Sequence, residues 1–246
     1  MKGIVCGASR GIGFGISKIL VEKKHRVLIV SRSEENLKIA SRKLKNCKYI
    51  KADLNEEKER EKLISESLKI LRKIDFLIIN TGGPPSGNFF SAELEQYDYG
   101  YNSLLKSTIH LTKLTVDHFI KNKFGRYIII SSIAAREPIK DLILSNTFRS
   151  ALFGFVKTFS KEVAKYNITC NIILPGYVNT ERIKELAEKR GGFEKFKEEI
   201  IKDVPVGRLI EPEEIGHLVN FLISKEANSI TGTSIPVDGG FLKSIP

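Results

Sequence analysis

The sequence predicts an α/β fold in which one doubly wound parallel sheet carries helices on both faces. Short runs rich in Val and Ile alternate with longer amphipathic stretches over the whole chain of 246 residues. Such alternation is typical of βαβ units, whose right-handed crossovers keep consecutive strands parallel. The runs are apolar on both faces, as in strands buried between two layers of helices. No linker, repeat or low-complexity segment interrupts the pattern, so we expect a single domain over residues 1–246.

Seven runs are predicted as strands because each is short and apolar on both faces. In chain order they are Gly3–Cys6, Arg26–Ser31, Lys48–Lys51, Phe76–Asn80, Tyr127–Ser131, Thr169–Leu174 and Ser234–Val237. The amphipathic stretches between them are predicted as helices, since their apolar residues recur with helical spacing. These stretches are Ile12–Lys24, Glu34–Leu44, Glu56–Leu71, Ala92–Phe119, Leu142–Lys165, Glu181–Lys202 and Glu213–Leu222.

Composition excludes several classes of protein. Charged residues make up 28% of the chain, and no apolar run approaches the roughly 18 residues that cross a bilayer, so no membrane partner is expected. The cysteines, Cys6, Cys47 and Cys170, form no C-x-x-C pair, and the four histidines are dispersed. Neither a disulfide framework nor a metal site is therefore expected. The first residues do not resemble a signal peptide, so we expect a cytoplasmic protein.

The net charge of +11 is compatible with a nucleic-acid partner, an anionic cofactor or a merely basic surface. Basic residues are interleaved with acidic ones at residues 56–73 and 181–202. Such interleaving is typical of solvated helix faces with i,i+4 pairs, not of a single-sign stripe. Nucleic-acid binding then rests on net charge alone, and we expect no such partner.

A glycine-rich loop follows the first predicted strand. Residues 7–13 read Gly-Ala-Ser-Arg-Gly-Ile-Gly and open the first predicted helix. Glycines permit close backbone approach, and free N–H groups at a helix N-terminus attract a pyrophosphate. The spacing differs from G-x-G-x-x-G, so the loop alone is also compatible with a plain strand-to-helix turn. Its place in the first βα turn of an alternating chain favours a dinucleotide site.

The end of the second predicted strand bears on the choice of cofactor. An NAD site would have an acidic residue there for the ribose 2′-hydroxyl, whereas this chain has Arg32. A guanidinium forms charge-assisted bonds to a 2′-phosphate, and Arg10 of the glycine loop could reach the same group. Each arginine alone could be an ordinary surface residue, but the pair predicts NADP(H).

Together these motifs resemble the short-chain dehydrogenase/reductase family, and the resemblance covers the whole chain. The glycine loop, the acidic adenine contact at residues 53–54 and the Asn-Thr-Gly-Gly at 80–83 match family motifs in order. Residues 175–180 resemble the Pro-Gly turn beside the nicotinamide, and residues 237–240 resemble the closing Asp-Gly-Gly. The overall layout is similar to 3-oxoacyl-[acyl-carrier-protein] reductases. The resemblance implies cofactor contacts from Gly7, Ser9, Arg10, Gly11, Ile12, Gly13, Arg32, Asp53, Leu54, Asn80, Thr81, Gly82, Arg149, Pro175, Gly176, Val178 and Thr180.

The family's catalytic pattern is altered in this chain. Family members combine a Ser after strand five with Tyr-x-x-x-Lys on the next helix and an Asn on the preceding helix. Ser132 matches the substrate-orienting serine, but the Tyr and Lys positions hold Ser145 and Arg149. Leu104 takes the Asn position, and Asn102, two places earlier, is not expected to replace it. The candidate catalytic residues are therefore Ser132, Ser145 and Arg149.

These substitutions change the available chemistry. In the family, the Lys cation lowers the Tyr pKa from about 10, so that the phenol exchanges a proton with the substrate oxygen. A serine hydroxyl is far less acidic and shorter by a ring, although it still donates a hydrogen bond. Arg149 could hold the nicotinamide ribose, but a guanidinium stays protonated and cannot relay a proton. Asn80–Pro85 and Leu142–Arg149 together resemble a divergent branch of the family.

Two functional hypotheses follow. The first is an NADP(H)-dependent oxidoreductase that moves a hydride between nicotinamide and a small carbonyl or alcohol substrate, with an acyl thioester as one candidate. The second is a dinucleotide-binding protein without turnover, a sensor or structural subunit, because the family's Tyr, Lys and Asn are all lost. The resemblance also implies a homo-oligomer, tetramer or dimer. A substrate lid is expected at about residues 181–207, with a solvated pair of helices as the alternative.

Overall fold

The computed structural model, which describes residues 1–188 and 192–244, contains the predicted parallel sheet. Its strands are β1 (Lys2–Cys6), β2 (Arg26–Ser31), β3 (Lys48–Lys51), β4 (Phe76–Asn80), β5 (Gly125–Ile130), β6 (Ile168–Pro175) and β7 (Ser234–Val237). They are hydrogen-bonded in the order β3-β2-β1-β4-β5-β6-β7, and every neighbouring pair is parallel. The predicted strands are confirmed, with bounds that differ by no more than two residues.

Helices connect the strands and cover both faces of the sheet. They are α1 (Gly11–Glu22), α2 (Glu34–Lys43), α3 (Glu57–Leu71), α4 (Leu94–Gly100), α5 (Ser107–Asn122), α6 (Ile143–Val163), α7 (Glu181–Glu188), α8 (Phe193–Asp203) and α9 (Pro212–Ile223). None of these described helices has both the length and the apolar character needed to cross a membrane.

Neighbouring residues of the central strands enter two separate hydrophobic clusters, one on each face. In β1, Ile4 belongs to the cluster that contains Leu63 of α3 and Leu111 of α5. The next residue, Val5, belongs to the opposite cluster, with Ile16 of α1 and residues of α2 and α9. Burial of each such side chain contributes about 1.5–3 kcal/mol of transfer free energy. This two-sided burial is why the strand sequences are apolar throughout.

The helix predicted over Ala92–Phe119 is wrong as a single element. The structure has α4, then a π-helical segment at Tyr101–Lys106, and then α5. α4 starts late because Glu93 forms a capping box with Gln96, which fixes the helix N-terminus just after Glu93. The side-chain pattern of a widened turn differs too little from that of an α-helix for sequence periodicity to reveal it.

The stretch predicted over Glu181–Lys202 consists of two helices, α7 and α8. Gly192 precedes α8 with a φ of 101°, a conformation that favours glycine, and Gly191 lies outside the described residues. The two helices share a cluster of buried apolar residues: Ile183, Ala187, Phe196, Ile200, Val204 and Leu209. The region predicted as a lid therefore has a small core of its own, and its movement stays a prediction.

The order of the strands reverses at β1, since β2 pairs on one side of it and β4 on the other. In open α/β sheets, ligands bind beyond the carboxyl ends of the strands at such a switch point. The loops after β1, β2, β4, β5 and β6 therefore define where the site lies.

Candidate active site

Two adjoining cavities open at the carboxyl ends of the strands. The first has a volume of about 310 Å³ and the second about 420 Å³. All predicted site residues except Gly13 line one or both of them. The first is lined by Gly7, Ser9, Asp53 and Leu54, the second by Gly11, Ile12, Ser132, Ser145, Arg149, Pro175, Gly176, Val178 and Thr180, and both by Arg10, Arg32, Asn80, Thr81 and Gly82.

Close packing holds the glycine loop against the sheet. Gly7 has a positive φ of 59°, and its carbonyl accepts a hydrogen bond from Asn80 Nδ2 at 3.2 Å. Gly13 lies beneath the loop, where a Cβ atom would come within 2.3 Å of the Gly7 carbonyl oxygen. Gly13 thus supports the loop by packing against its backbone, and it lines neither cavity.

The N-terminus of α1 is open to an anion. The helix begins at Gly11, and the preceding Arg10 makes no side-chain capping bond. No acidic residue lies in the first turn, so the partial positive charge of the helix end is not offset there. Backbone N–H groups in this setting form a phosphate site.

Arg10 and Arg32 border both cavities and are exposed. Arg10 Nη2 lies 3.8 Å from Glu185 Oε1 of α7, a long contact between largely exposed side chains. Such a pair contributes little and is readily exchanged for another anion. The two guanidinium groups therefore place two positive charges beside both cavities, near the end of β2.

A buried arginine contacts the loop after β3. Arg60 is only 1% exposed and donates to the carbonyl of Leu54. Its Nε also donates to His110 Nδ1 at 2.9 Å. The Asp53 N–H of the same loop donates to Glu59 Oε2 at 2.6 Å. These contacts fix residues 53 and 54 at the floor of the first cavity.

Arg149 is buried at the base of the second cavity. Among the described residues, Arg149 forms two hydrogen bonds, both from Nη1. It donates to the carbonyls of Ile130 at 3.2 Å and Ser131 at 3.0 Å. Burial lowers the pKa of Arg149 to about 10, so the guanidinium remains charged near neutral pH. The cation is thus held against the end of β5 rather than by a carboxylate.

Serine hydroxyls lie beside this cation. Ser132 has an extended backbone, and its Oγ accepts from the Ala134 N–H at 3.1 Å, which leaves the hydroxyl hydrogen free to donate. Ser145 lies one helical turn before Arg149 on α6, and both line the second cavity. The buried hydroxyl of Ser131 has no partner among the described residues.

The turn after β6 closes the far side of the second cavity. Gly176 packs so tightly on the closing Asp-Gly-Gly segment that a Cβ atom would lie 2.7 Å from Asp238 Cα. Asp238 in turn accepts from the N–H groups of Gly240 at 3.0 Å and Leu242 at 2.9 Å. The Asp-Gly-Gly motif therefore positions the Pro-Gly turn.

Sequence reasoning missed several residues of the site. Tyr99 of α4 and Ser103 of the π-helical segment line the first cavity. Asn146 clamps the loop after β5 by accepting from the Ile139 N–H and donating to the Ile139 carbonyl. Arg182 of α7 lines the second cavity. Asn146 lies within the Leu142–Arg149 motif, which could have pointed to it, whereas no sequence signal marks Tyr99, Ser103 or Arg182.

Glu57, Glu61 and His110 lie close enough together to hold a metal ion, with ligand atoms within 4.8 Å. Cations of the chain already contact two of its three members, however. Arg60 Nε donates to His110 Nδ1, which places the hydrogen of a neutral ring on Nε2. Lys106 Nζ lies 3.6 Å from Glu57 Oε2. The arrangement is that of a surface ion cluster.

A family model described as Enoyl-(Acyl carrier protein) reductase matches residues 7–242. The chain belongs to the short-chain dehydrogenase/reductase family. Membership confirms the resemblance that the ordered motifs indicated and assigns the chain to a family of oxidoreductases.

Individual short-chain relatives are similar over nearly their whole length. The 3-oxoacyl-[acyl-carrier-protein] reductase FabG of Rickettsia conorii is 31% identical over 97% of this chain and 95% of its own. The structure of YwfH, an NADPH dependent reductase involved in bacilysin biosynthesis, superposes with a TM-score of 0.95 at 27% identity, covering 99% of both chains. L-sorbose reductase of Gluconobacter frateurii, solved with NADPH and L-sorbose, has a TM-score of 0.92 at 25% identity over 99% of this chain and 97% of its own.

Proposed function

We propose that the chain is an NADP(H)-dependent short-chain oxidoreductase that moves a hydride between nicotinamide and a carbonyl or alcohol carbon of a small substrate. The observation that carries the proposal is the convergence of Arg10 and Arg32 on the cavity that also contains the glycine loop. Similarity to FabG and to NADPH-linked reductases of known structure supports it. The enzyme is proposed to act in the cytoplasm as a single domain over residues 1–246.

The first cavity fits the adenosine and phosphate end of the cofactor. The open N-terminus of α1 would receive the pyrophosphate, because N–H groups at a helix N-terminus attract anions and no acidic residue lies in the first turn. Asp53 and Leu54 would contact the adenine, and Arg10 and Arg32 would bind the 2′-phosphate. Thr180 and Arg149 would flank the nicotinamide end in the second cavity. When bound, the cofactor supplies or accepts a hydride at nicotinamide C4.

The residues around the second cavity can orient and polarise a substrate oxygen. Ser132 would donate a hydrogen bond to it, and the charge of Arg149 would stabilise negative charge that develops there. Ser145 borders the same cavity and is proposed to contribute little by itself. None of these groups is an acid tuned to neutral pH, since serine is a weak acid and Arg149 stays protonated. We therefore expect slow reduction of simple ketones, with the proton coming from Ser132, from a water held by it, or from a side chain in the region of Tyr177.

The deciding experiment combines turnover with binding. NADPH oxidation is followed across a panel of ketones, oxo acids and acyl thioesters, and NADPH binding is titrated in parallel. We expect binding together with measurable turnover of at least one carbonyl compound. Absence of NADPH binding would contradict the proposal outright.

A dinucleotide-binding protein without turnover is the second candidate function. It is favoured by Leu104, which takes the position that carries Asn in the family. Leu104 is buried, and its carbonyl already accepts from the Thr108 hydroxyl at 2.7 Å. Tight NADPH binding with no oxidation across the whole panel would support this candidate.

The surface of α5 and α6 supports the proposal of a homo-oligomer, dimer or tetramer. A groove of about 520 Å³ between these helices is lined mainly by apolar atoms, with Ile109, Val116, Phe155 and Phe159 among its residues. Lys113 and Glu162 also line it, so two copies related by a two-fold axis could pair opposite charges. Covering this groove with a second copy would remove its apolar surface from water.

A further inference from the structure

Four arginines line the second cavity among the described residues, and the proposed roles leave Arg182 unused. Arg10 and Arg32 are assigned to the cofactor, and Arg149 donates to the carbonyls of Ile130 and Ser131. Arg182 lies in the first turn of α7, and its side chain is 50% exposed. The guanidinium is therefore within reach of a molecule that enters the cavity from solvent.

The contacts of Arg182 are weak enough to be exchanged. Nη2 donates to the Pro84 carbonyl at 3.4 Å, and Nη1 lies 3.6 Å from Glu185 Oε2. Both distances exceed the usual 2.7–3.2 Å of a protein N–H···O bond. A substrate carboxylate could accept two shorter, parallel bonds from the guanidinium, which is the geometry that favours arginine at carboxylate sites.

The wall beneath Arg182 is open and offers further donors. A Cβ atom at Gly83 would lie 3.9 Å from Arg182 Nη2, and one at Gly82 would have nothing within 4 Å. The backbone N–H groups of both glycines donate to no described residue, and both residues are exposed. A guanidinium above free N–H groups is an arrangement that binds a small anion.

The contact between Arg182 and the acidic residues of α7 is long. Glu181 and Glu185 both line the second cavity. Glu185 is shared between two cations, at 3.6 Å from Arg182 Nη1 and 3.8 Å from Arg10 Nη2. If a cofactor phosphate binds Arg10, Glu185 is left with Arg182. The 3.6 Å contact is long, and the guanidinium donates one hydrogen bond to a described residue, so its other N–H groups are available to a ligand.

The remaining walls limit the size of the ligand. Apolar side chains of Ile139, Leu142 and Ile183 line the cavity. Its volume of about 420 Å³ must also accommodate the nicotinamide end of the cofactor. A compact molecule with a short apolar part fits this space better than a long acyl chain.

We propose that Arg182 recognises a substrate carboxylate, so that small oxo acids, or the corresponding hydroxy acids, are preferred over neutral ketones and acyl thioesters. The proposal rests on the proposed function, since it takes the second cavity to be the substrate site. It makes Arg182 a specificity-determining residue carried by the lid.

The test measures binding without turnover. The protein is saturated with NADP⁺, which cannot donate a hydride, and titrated calorimetrically with 4-methyl-2-oxopentanoate and with its neutral, isosteric amide. We expect the carboxylate to bind at least ~10-fold more tightly than the amide. Arg182→Gln should bring the ratio close to one, and Arg182→Lys should retain part of it. Lys184→Gln, the same charge change on an exposed neighbour of α7, should leave the ratio unchanged.

Three results would overturn the proposal: no binding of the carboxylate, equal binding of carboxylate and amide, or a ratio that Arg182→Gln does not change. Thermal melting and the NADPH dissociation constant of each variant exclude misfolding as the cause. Repeating the titration without cofactor tests anion recognition even in a protein that binds no NADP(H). If the carboxylate binds but NADPH is not oxidised with any compound of the carbonyl panel, the proposed function is contradicted, while recognition of the carboxylate by Arg182 still holds.

Discussion

Arg149, at the position predicted to correspond to the family's lysine, contacts the end of β5. Nη1 is engaged by the carbonyls of Ile130 and Ser131, so the side chain supports the end of β5 as well as facing the second cavity. Its pKa of about 10 leaves it charged at neutral pH. With Ser145 one turn away, the site provides hydrogen bonds and positive potential but no acid suited to proton transfer.

Restoring the family pair should therefore accelerate the reaction. The double substitution Ser145→Tyr with Arg149→Lys is expected to raise kcat/KM for carbonyl reduction by roughly 10²-fold, since a tuned phenol supplies general acid catalysis. The NADPH dissociation constant should stay the same, and Ser145→Ala alone should change little. Loss of a robust native activity in Ser145→Ala would instead identify Ser145 as a working catalytic residue.

Arg32 should decide between the two nicotinamide cofactors. Arg32→Asp is expected to reverse the preference from NADPH to NADH, because it removes a charge-assisted bond worth about 1.5–3 kcal/mol, roughly ten- to a hundredfold in affinity. Dissociation constants for both cofactors provide the measurement. Arg42→Asp on α2 is the matched control, since Arg42 is exposed and lines neither cavity. Equal affinities for NADPH and NADH in the native protein would contradict this role.

At the scale of elements, close helix packing holds α1, and with it the glycine loop. A Cβ atom at Gly15 would come within 2.4 Å of Pro212 Cβ and 2.8 Å of the Pro212 carbonyl carbon, at the start of α9. Lys18 and Glu213 form an ion pair of 2.9 Å between the same two helices. The contact thus combines backbone approach with surface charge.

Packing rather than charge should stabilise this contact. We expect Gly15→Ala to lower the free energy of unfolding by about 1–3 kcal/mol, because the added methyl group forces the helices apart. Lys18→Ala should cost less than about 1 kcal/mol, since the ion pair is partly exposed. Chemical denaturation of both variants gives the comparison. A neutral Gly15→Ala would show that α1 and α9 can separate freely.

His118 links α5 to the segment before β4 in a pH-dependent way. Its Nε2 accepts from the Ile74 N–H at 3.1 Å, which requires an unprotonated nitrogen. Burial lowers the pKa of His118 below its ordinary value of 6.5. The unfolded chain then binds the proton more readily than the folded protein. The stabilising contribution is complete above pH 6.5 and is lost as the pH falls through the folded pKa.

His118→Gln should therefore reduce the loss of stability below pH 6.5, because the amide oxygen accepts the same bond without titrating. Unfolding free energies measured by denaturant at several pH values provide the test. His25, whose pKa is also lowered by burial, remains in the variant, so part of the acid sensitivity should persist. Identical pH profiles for the two proteins would argue against this role.

At the scale of the whole molecule, the loops after five strands converge on one edge of the sheet, and α7 contacts that edge through the hydrogen bond from Arg182 to the Pro84 carbonyl. The α5–α6 groove is a separate apolar surface. Stacked rings of Phe155 and Phe159, with centroids 5.6 Å apart, contribute to its lining. The proposed assembly would cover this groove and leave the cavities accessible.

The oligomer should depend on Phe155. The native protein is expected to sediment as a dimer or tetramer of the 27.7 kDa chain, and Phe155→Glu should shift it to the monomer by placing a charge in the apolar contact. Ile39→Glu introduces the same change at a side chain of α2 that is 46% exposed and outside the groove, and it should leave the mass unchanged. A native mass of one chain at micromolar concentration would contradict the assembly.

The sequence by itself determined the strands, the parallel sheet and the family, because strand burial and the glycine loop are local patterns. The assignment of the family's Tyr and Lys positions to Ser145 and Arg149 rests on the count from Ser132 and stays a prediction. Only the tertiary structure decided how these residues are used. The burial of Arg149, the supporting place of Gly13 and the reach of Arg182 over the cavity depend on segments far apart in the chain. Hydrophobic periodicity carries no information about such tertiary contacts. It reports which face of an element is buried, and not which side chain of another element packs against that face.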